Sequence, residues 1–309
     1  MLFFFHSPQG LNIMSKNLFK GIISYPITPF LAGDGGVDIK TLEQLIDRLI
    51  QDGSHAIAPL GSTGESAYLN DEEWDTVAEV SVKQVAKRVP TVVGISDLTT
   101  QNAVRRAKFA EKVGADAVMV LPISYWKLTE REIFQHYASI SEAISIPVML
   151  YNNPATSGLD LSPELIVRII KEIDNVTMVK ESSGDIQRMH RIAQLSNAEI
   201  PFYNGSNPLA LEAFAAGAVG WCTAAPNLIP AWPLRLYEAS LAGDLKQARE
   251  VFYKQLPLLQ FILKGGLPTT IKAGLQLRGF DAGVPRKPLL PLDSAGQNEL
   301  AALIKQLDS

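Results

Sequence analysis

Eight short runs of β-branched and other apolar residues start near Ile22, His55, Thr91, Ala117, Pro147, Val176, Pro201 and Ala218. They recur about every 28 residues, close to the length of one strand-plus-helix unit. Each run is continuous rather than alternating, which is how a strand reads when helices cover its sheet and both of its faces are buried. The intervening segments carry helix punctuation. Asn70 with Glu73, and Thr129 with Glu132, have capping-box spacing, and Ser162-Pro163 sets an N-cap before a first-turn proline. Gly53 and Gly114 fall where helix C-caps belong. Leu42, Leu45, Ile46 and Leu49 recur at helical period and give one apolar face for packing outside the sheet. The pattern predicts an α/β fold, a (β/α)8 TIM barrel. With 47% hydrophobic residues in 309, the chain can fill such a core. An open doubly wound sheet is the competing arrangement, because alternation alone does not prove closure; the count of eight favours the barrel.

After Trp221-Cys222-Thr223-Ala224-Ala225 the strand signal stops. Segments 231–242, 244–263, 266–278 and 294–307 read as helices, separated by Gly265-Gly266 and the proline-rich stretch 284–291. The expected organisation is an N-terminal extension over 1–17, a barrel over 18–229 and a C-terminal helical domain over 230–309. In the extension, Leu2-Phe3-Phe4-Phe5 is interrupted by His6 and Pro8, no basic region or cleavage site follows, and Met14 is a second candidate start. No run of about 18 apolar residues occurs, so a spanning helix is not expected. The formal charge is −4, from 28 Lys+Arg against 32 Asp+Glu without long runs of either sign, which disfavours nucleic acid and anionic membrane as partners. Cys222 is the single cysteine, so no internal disulfide can form, and a reducing, cytoplasmic setting is expected. His6, His55, His136 and His190 lack ligand spacing, so no metal site is expected.

In barrel enzymes the strand C-termini and the loops after them carry the chemistry. Here strand two runs into Gly61-Ser62-Thr63-Gly64-Glu65, strand five into Tyr151-Asn152-Asn153-Pro154, strand six into Lys180-Glu181-Ser182 and strand seven into Asn204-Gly205-Ser206-Asn207. Lys180 ends the apolar run Val176-Thr177-Met178-Val179. An inward-facing ammonium there loses hydration unless it is paired, and loss of its proton makes the amine a nucleophile toward a carbonyl. The competing reading is a structural ion pair with Glu181 or Glu65, the commoner fate of a lysine at a strand end. Tyr151, closing the neighbouring strand, is within reach to carry protons for Lys180, although a lone tyrosine is more often a core residue with a wet hydroxyl. Ser62-Thr63 between glycines offers backbone N–H groups and hydroxyls to a carboxylate. The loop is too short and lacks the lysine of a phosphate-binding P-loop, and no dinucleotide fingerprint is present. Trp221 and Cys222 read as core or pocket lining.

These segments together resemble the dihydrodipicolinate synthase and N-acetylneuraminate lyase family over about residues 18–305. The resemblance is carried, in order, by Tyr25-Pro26-Ile27-Thr28-Pro29-Phe30, Gly61-Ser62-Thr63-Gly64-Glu65, Gly114-Ala115-Asp116-Ala117, Tyr151-Asn152-Asn153-Pro154, Val179-Lys180-Glu181-Ser182 and Asn204-Gly205-Ser206. It implies a (β/α)8 barrel with a C-terminal helical domain. Lys180 would be the Schiff-base lysine, Tyr151 the proton-shuttling tyrosine, and Ser62-Thr63 the pair that holds the keto-acid carboxylate, with Thr63 in the relay. Gly205 and Cys222 match positions whose backbone lies near the substrate, and Ser206 joins Gly205 among the substrate-binding candidates. The family commonly uses pyruvate, needs no organic cofactor or catalytic metal, and assembles as homotetramers of paired dimers.

Two departures stand out. Where the synthases carry an arginine that grips the second substrate's carboxylate, this chain has Thr156. The family's paired-tyrosine segment reads Pro122-Ile123-Ser124-Tyr125-Trp126-Lys127, with Tyr125 the candidate to act across a dimer interface. The implied activity is a class I lyase, an aldolase or dehydratase/deaminase, acting on pyruvate or a related 2-oxo acid through Lys180. Thr156 favours neutral polar partners, such as hydroxylated 2-oxo acids or their cyclic imines, over aspartate semialdehyde. Dihydrodipicolinate (4-hydroxy-tetrahydrodipicolinate) synthase proper is the alternative enzyme, and a non-catalytic 2-oxo-acid sensor is the alternative from another class.

Overall fold

A computed structural model describes residues 19–33 and 35–308; the extension assigned to 1–17 lies outside the described residues. Eight strands appear where the apolar runs place them: β1 (Gly21–Ser24), β2 (Ala56–Ile57), β3 (Val92–Gly94), β4 (Ala117–Val120), β5 (Val148–Asn152), β6 (Val176–Glu181), β7 (Phe202–Asn204) and β8 (Gly220–Thr223). Neighbours pair in parallel in the order β2-β1-β8-β7-β6-β5-β4-β3. The two ends of that series meet. Ile57 bridges Thr91 in parallel, the Ile57 N–H donates to Pro90 O at 3.0 Å, and the Gly94 N–H donates to Pro59 O at 3.0 Å. The sheet is therefore a barrel, and the doubly wound alternative is excluded.

The helices start and stop on the residues that their chemistry requires. Asn70 and Thr129 each head a complete capping box, with Glu73 and Glu132 reaching back to the cap N–H. Ser162 accepts from the Leu165 N–H ahead of Pro163–Glu172. Gly114 closes Thr100–Val113 at φ 96°, a conformation that costs glycine little. Gly53 instead sits one residue past its cap, Asp52. Leu42, Leu45, Ile46 and Leu49 all face the core from Ile39–Gln51.

Beyond β8 come four helices, Ala231–Leu241, Leu245–Gly265, Leu267–Leu277 and Ser294–Asp308, within two residues of the expected bounds. The second runs on through Pro257. Among the described residues, no helix is long and apolar enough to cross a membrane.

This C-terminal part is fastened to the barrel by charge. Glu65, buried after β2, pairs with the equally buried Lys272 at 2.7 Å and accepts the Arg286 backbone N–H at 2.7 Å. Lys272 and Arg286 also lie over the Phe30 ring, 4.0 and 4.2 Å from its centroid. The Arg286 guanidinium grips both oxygens of Glu73 at 2.6 and 2.8 Å, which holds the Glu73 carboxyl below the usual carboxylate range. Burial pulls the Lys272 amine down while Glu65 pulls it up. Removing one member of a buried pair leaves the other charge uncompensated, at a cost of about 3–5 kcal/mol. Lys272→Met should lower the unfolding free energy by about that amount in urea titration, with a largely unchanged slope; a loss within about 0.5 kcal/mol would show that the pair is not a fastening.

Candidate active site

Register decides what Lys180 meets. On β6 it stands beside Tyr151 of β5 and Tyr203 of β7. Successive strand residues face opposite sides, so Lys180 and Glu181 diverge. Glu181 pairs with Arg188 at 3.3 Å and accepts from Asn152 Nδ2 at 3.1 Å and the Ser183 N–H at 2.7 Å. The Lys180 amine lies 3.9 Å from the centroid of the Tyr151 ring and 4.1 Å from that of Tyr25. The residue is 5% exposed. Among the described residues no carboxylate lies within 4 Å of this amine. Both proposed ion-pair partners, Glu181 and Glu65, are committed elsewhere, so the structural ion-pair reading fails.

The groups around the lysine are arranged to leave it room. At position 205 a Cβ would stand 2.8 Å from Lys180 Cε and would overlap Ser182 Oγ, so only glycine fits without displacement. Asn204 holds this turn in shape. Its Nδ2 donates to Ser206 O at 2.9 Å, and its Oδ1 accepts the Ser206 N–H at 3.1 Å. The Tyr151 hydroxyl oxygen accepts from Asn153 Nδ2 at 2.9 Å. The Tyr25 hydroxyl donates to Met119 Sδ at 3.0 Å and also meets the Cys222 thiol. Burial pushes both Tyr25 and Cys222 up, with Lys180 and Tyr25 pulling weakly the other way on Cys222; both are held protonated. Cys222 is thus a buried thiol and no nucleophile.

Ser62 and Thr63 lie in a tight turn, with the Gly64 N–H donating to Gly61 O at 3.0 Å and the Glu65 N–H to Ser62 O at 3.2 Å. Thr28 Oγ1 holds the turn from β1's side by donating to Gly64 O at 2.6 Å. Leu60 and Glu65, flanking it, both take left-handed backbone at φ 61° and 55°, a strain that clusters at sites the surroundings over-determine. Thr63 is buried; Ser62 faces a cavity of about 220 Å³ that Tyr151 and Thr156 also line. A larger hollow of about 360 Å³ lies apart from these groups, among Arg48, Trp232 and Asp308.

Ser62, Thr63, Tyr151, Lys180, Gly205, Ser206 and Cys222 are therefore gathered at one pole, with Thr156 at the cavity rim. Tyr125 is not with them: it is 91% exposed, ring edge to face with Trp126, itself 78% exposed. His55 accepts the Ile22 N–H at 3.1 Å, and His136 shares a hydrogen bond with Thr100 at 2.9 Å; both are structural. Among the described residues no group of three or more His, Cys, Asp or Glu is arranged to hold a metal ion.

The sequence profile of the dihydrodipicolinate synthetase family matches residues 18–307. The chain belongs to this family. A 4-hydroxy-tetrahydrodipicolinate synthase of Geotalea uraniireducens is 33% identical over 289 residues, 94% of this chain and 99% of the relative. A Pseudomonas aeruginosa structure, provisionally assigned as a dihydrodipicolinate synthetase, superposes with TM-score 0.93 at 63% identity, covering 94% of this chain and 100% of that one. The Acinetobacter baumannii dihydrodipicolinate synthase, solved in complex with pyruvate, superposes at TM-score 0.90 and 31% identity, covering 94% and 99%. The chain is accordingly an enzyme, a lyase of the dihydrodipicolinate synthetase family, and the sensor reading has no counterpart among these relatives.

Sequence reasoning passed over Tyr25 as a site residue, although its motif was noted, and passed over Asn153, Ser182 and Asn204 as positioning groups. Their polar types in strand-end segments were the available signal. Gly205→Ala tests the crowding. The added methyl should displace Lys180 and Ser182 and cost about 1–3 kcal/mol of stability, read by thermal melting. An unchanged melting temperature would mean that the space beside Lys180 is larger than the geometry requires.

Proposed function

We propose that this enzyme is a class I lyase that binds pyruvate or a related 2-oxo acid covalently, as an imine on Lys180, and makes or breaks a bond next to it. One observation carries the reading: a buried lysine amine with no carboxylate partner, between two tyrosine rings, at the pole where the Ser62-Thr63 turn and the Gly205 turn converge. The pyruvate complex of the related synthase supports the substrate class.

In this mechanism the neutral amine of Lys180 adds to the substrate's C2 carbonyl, and the carbinolamine loses water to leave an iminium. The iminium accepts the electron pair of a bond broken at the adjacent carbons, or loses a C3 proton to form an enamine that attacks a second carbonyl. Tyr151 moves the protons. Because Asn153 donates to its hydroxyl oxygen, the phenolic proton is free to point toward the bound carbinolamine. The Ser62 and Thr63 hydroxyls and the N–H groups of their turn take the substrate carboxylate, and Thr63 joins the relay. The iminium is itself the electron sink, so the reading needs no organic cofactor or metal. We further assign the enzyme to the cytoplasm, and to a homotetramer of paired dimers in which the exposed Tyr125-Trp126 loop meets a second copy. Synthesis of 4-hydroxy-tetrahydrodipicolinate itself remains the alternative, favoured by the names of the relatives and opposed by Thr156.

Incubation with pyruvate and borohydride should add covalent mass at Lys180, read by intact-protein and peptide mass spectrometry, and the adduct should vanish in Lys180→Ala. An adduct on another lysine, or none with any 2-oxo acid, overturns the mechanism. Tyr151→Phe should keep the fold by circular dichroism and lower turnover by roughly 10²–10⁴, the range for a lost acid/base group; near-wild-type turnover would reduce Tyr151 to packing. Sedimentation should give a symmetric oligomer at micromolar concentration, and a fully active monomer would refute the shared loop.

A further inference from the structure

The cavity lined by Ser62 and by Tyr151, whose ring packs on the Lys180 amine, reports on the second substrate. Its apolar lining comes from parts of the chain remote in sequence: Leu121 and Ile123 follow β4, and Pro268 and Leu289 belong to the C-terminal segment that Glu65 fastens down. Among the described residues no lysine or arginine lines this space. Arg188 pairs with Glu181 at 3.3 Å and Asp160 at 3.0 Å, and Lys127 lies exposed outside the lining. Arg286 grips Glu73, and Lys272 pairs with Glu65. Glu65, the one acidic residue in the lining among the described residues, is taken up by Lys272.

A second carboxylate in such a cavity would give up water for an apolar wall without a counter-charge, which is among the costliest transfers available to a side group. A polyhydroxylated chain would find partners only on the Ser62, Ser66, Tyr68, Ser96, Tyr151 and Thr156 side, and any hydroxyl set against Leu121, Ile123, Pro268 or Leu289 would be left unpaired. An apolar substituent gains from every part of these walls that it covers.

We propose that the second substrate is an aldehyde carrying an uncharged, predominantly apolar substituent, seated against Leu121, Ile123, Pro268 and Leu289. The proposal rests on the Schiff-base reading of Lys180. The enamine carbon attacks the aldehyde carbon, the new C–C bond leaves an alkoxide that takes a proton from Tyr151, and hydrolysis of the imine releases a 4-hydroxy-2-oxo acid. Cleavage is the same sequence reversed.

The test is an aldol panel with pyruvate, with the 4-hydroxy-2-oxo acid read by mass spectrometry: benzaldehyde and isobutyraldehyde against succinic semialdehyde, aspartate semialdehyde and glyceraldehyde. Borohydride trapping of pyruvate at Lys180 is run in parallel as an independent readout. The expected result is a kcat/KM for an apolar aldehyde at least tenfold above every charged or polyhydroxylated one. Leu289→Asp should reduce that advantage about tenfold, with pyruvate trapping unchanged, and Thr156→Arg should raise activity on the semialdehydes. Normal trapping with a preference for a semialdehyde or glyceraldehyde would overturn the subsite and leave the Lys180 mechanism standing. An equal loss on all aldehydes in Leu289→Asp would overturn the wall's role. Absence of trapping in the wild type would overturn the mechanism and the subsite with it.

Discussion

Glu181 follows Lys180 in the chain and yet gives its charge to Arg188. Strand alternation makes this unavoidable, since the two side chains leave β6 on opposite faces. The consequence reaches across the whole pole. Glu65, the other candidate counter-ion, is drawn away by Lys272, and Asp97 pairs with Arg106. Each of these carboxylates has a cation of its own, which leaves the Lys180 amine facing the rings of Tyr25 and Tyr151. A buried ammonium held by a carboxylate would be a fixed structural charge; one held only by aromatic faces is compensated more weakly.

The Glu65 carboxylate connects two parts of the molecule that the chain separates by more than two hundred residues. Its backbone ends the turn that carries Ser62 and Thr63, and its side chain is held by Lys272 and by the Arg286 N–H. Docking the C-terminal segment thus does two things at once. It fixes a left-handed residue next to the Ser62-Thr63 turn, and it brings Pro268 and Leu289 into the lining of the cavity. Glu73 is used twice in the same way, completing a capping box at Asn70 and receiving the Arg286 guanidinium.

Much of this was legible from the residues alone, for reasons that differ by level. The strands could be read because parallel strands buried on both faces are short apolar runs, and the helix ends because Asn70, Thr129 and Ser162 act on N–H groups three residues away. Lys180 could be read because a charge at the end of such a run has to be explained. What could not be read depends on contacts distant in sequence. Nothing near Lys272 or Arg286 points to Glu65, and nothing near Leu289 points to Tyr151. Nothing near Arg188 in the sequence shows that the fold commits it to Glu181 and Asp160. Tyr125 was readable as a tyrosine in a family segment, but its position outside the cavity follows from loop geometry that no local pattern encodes.

Tyr25 shows how a residue can matter without touching substrate chemistry directly. Its ring covers the Lys180 amine at 4.1 Å, and its hydroxyl is occupied by Met119 and Cys222. Burial keeps that hydroxyl protonated. The two tyrosines therefore hold the same amine but divide its needs. Tyr25 supplies a fixed apolar wall. Tyr151 has its oxygen engaged by the Asn153 amide, which donates to it at 2.9 Å. The difference lies in what each hydroxyl is bonded to, which is why the same residue type at two neighbouring strand ends takes on different work.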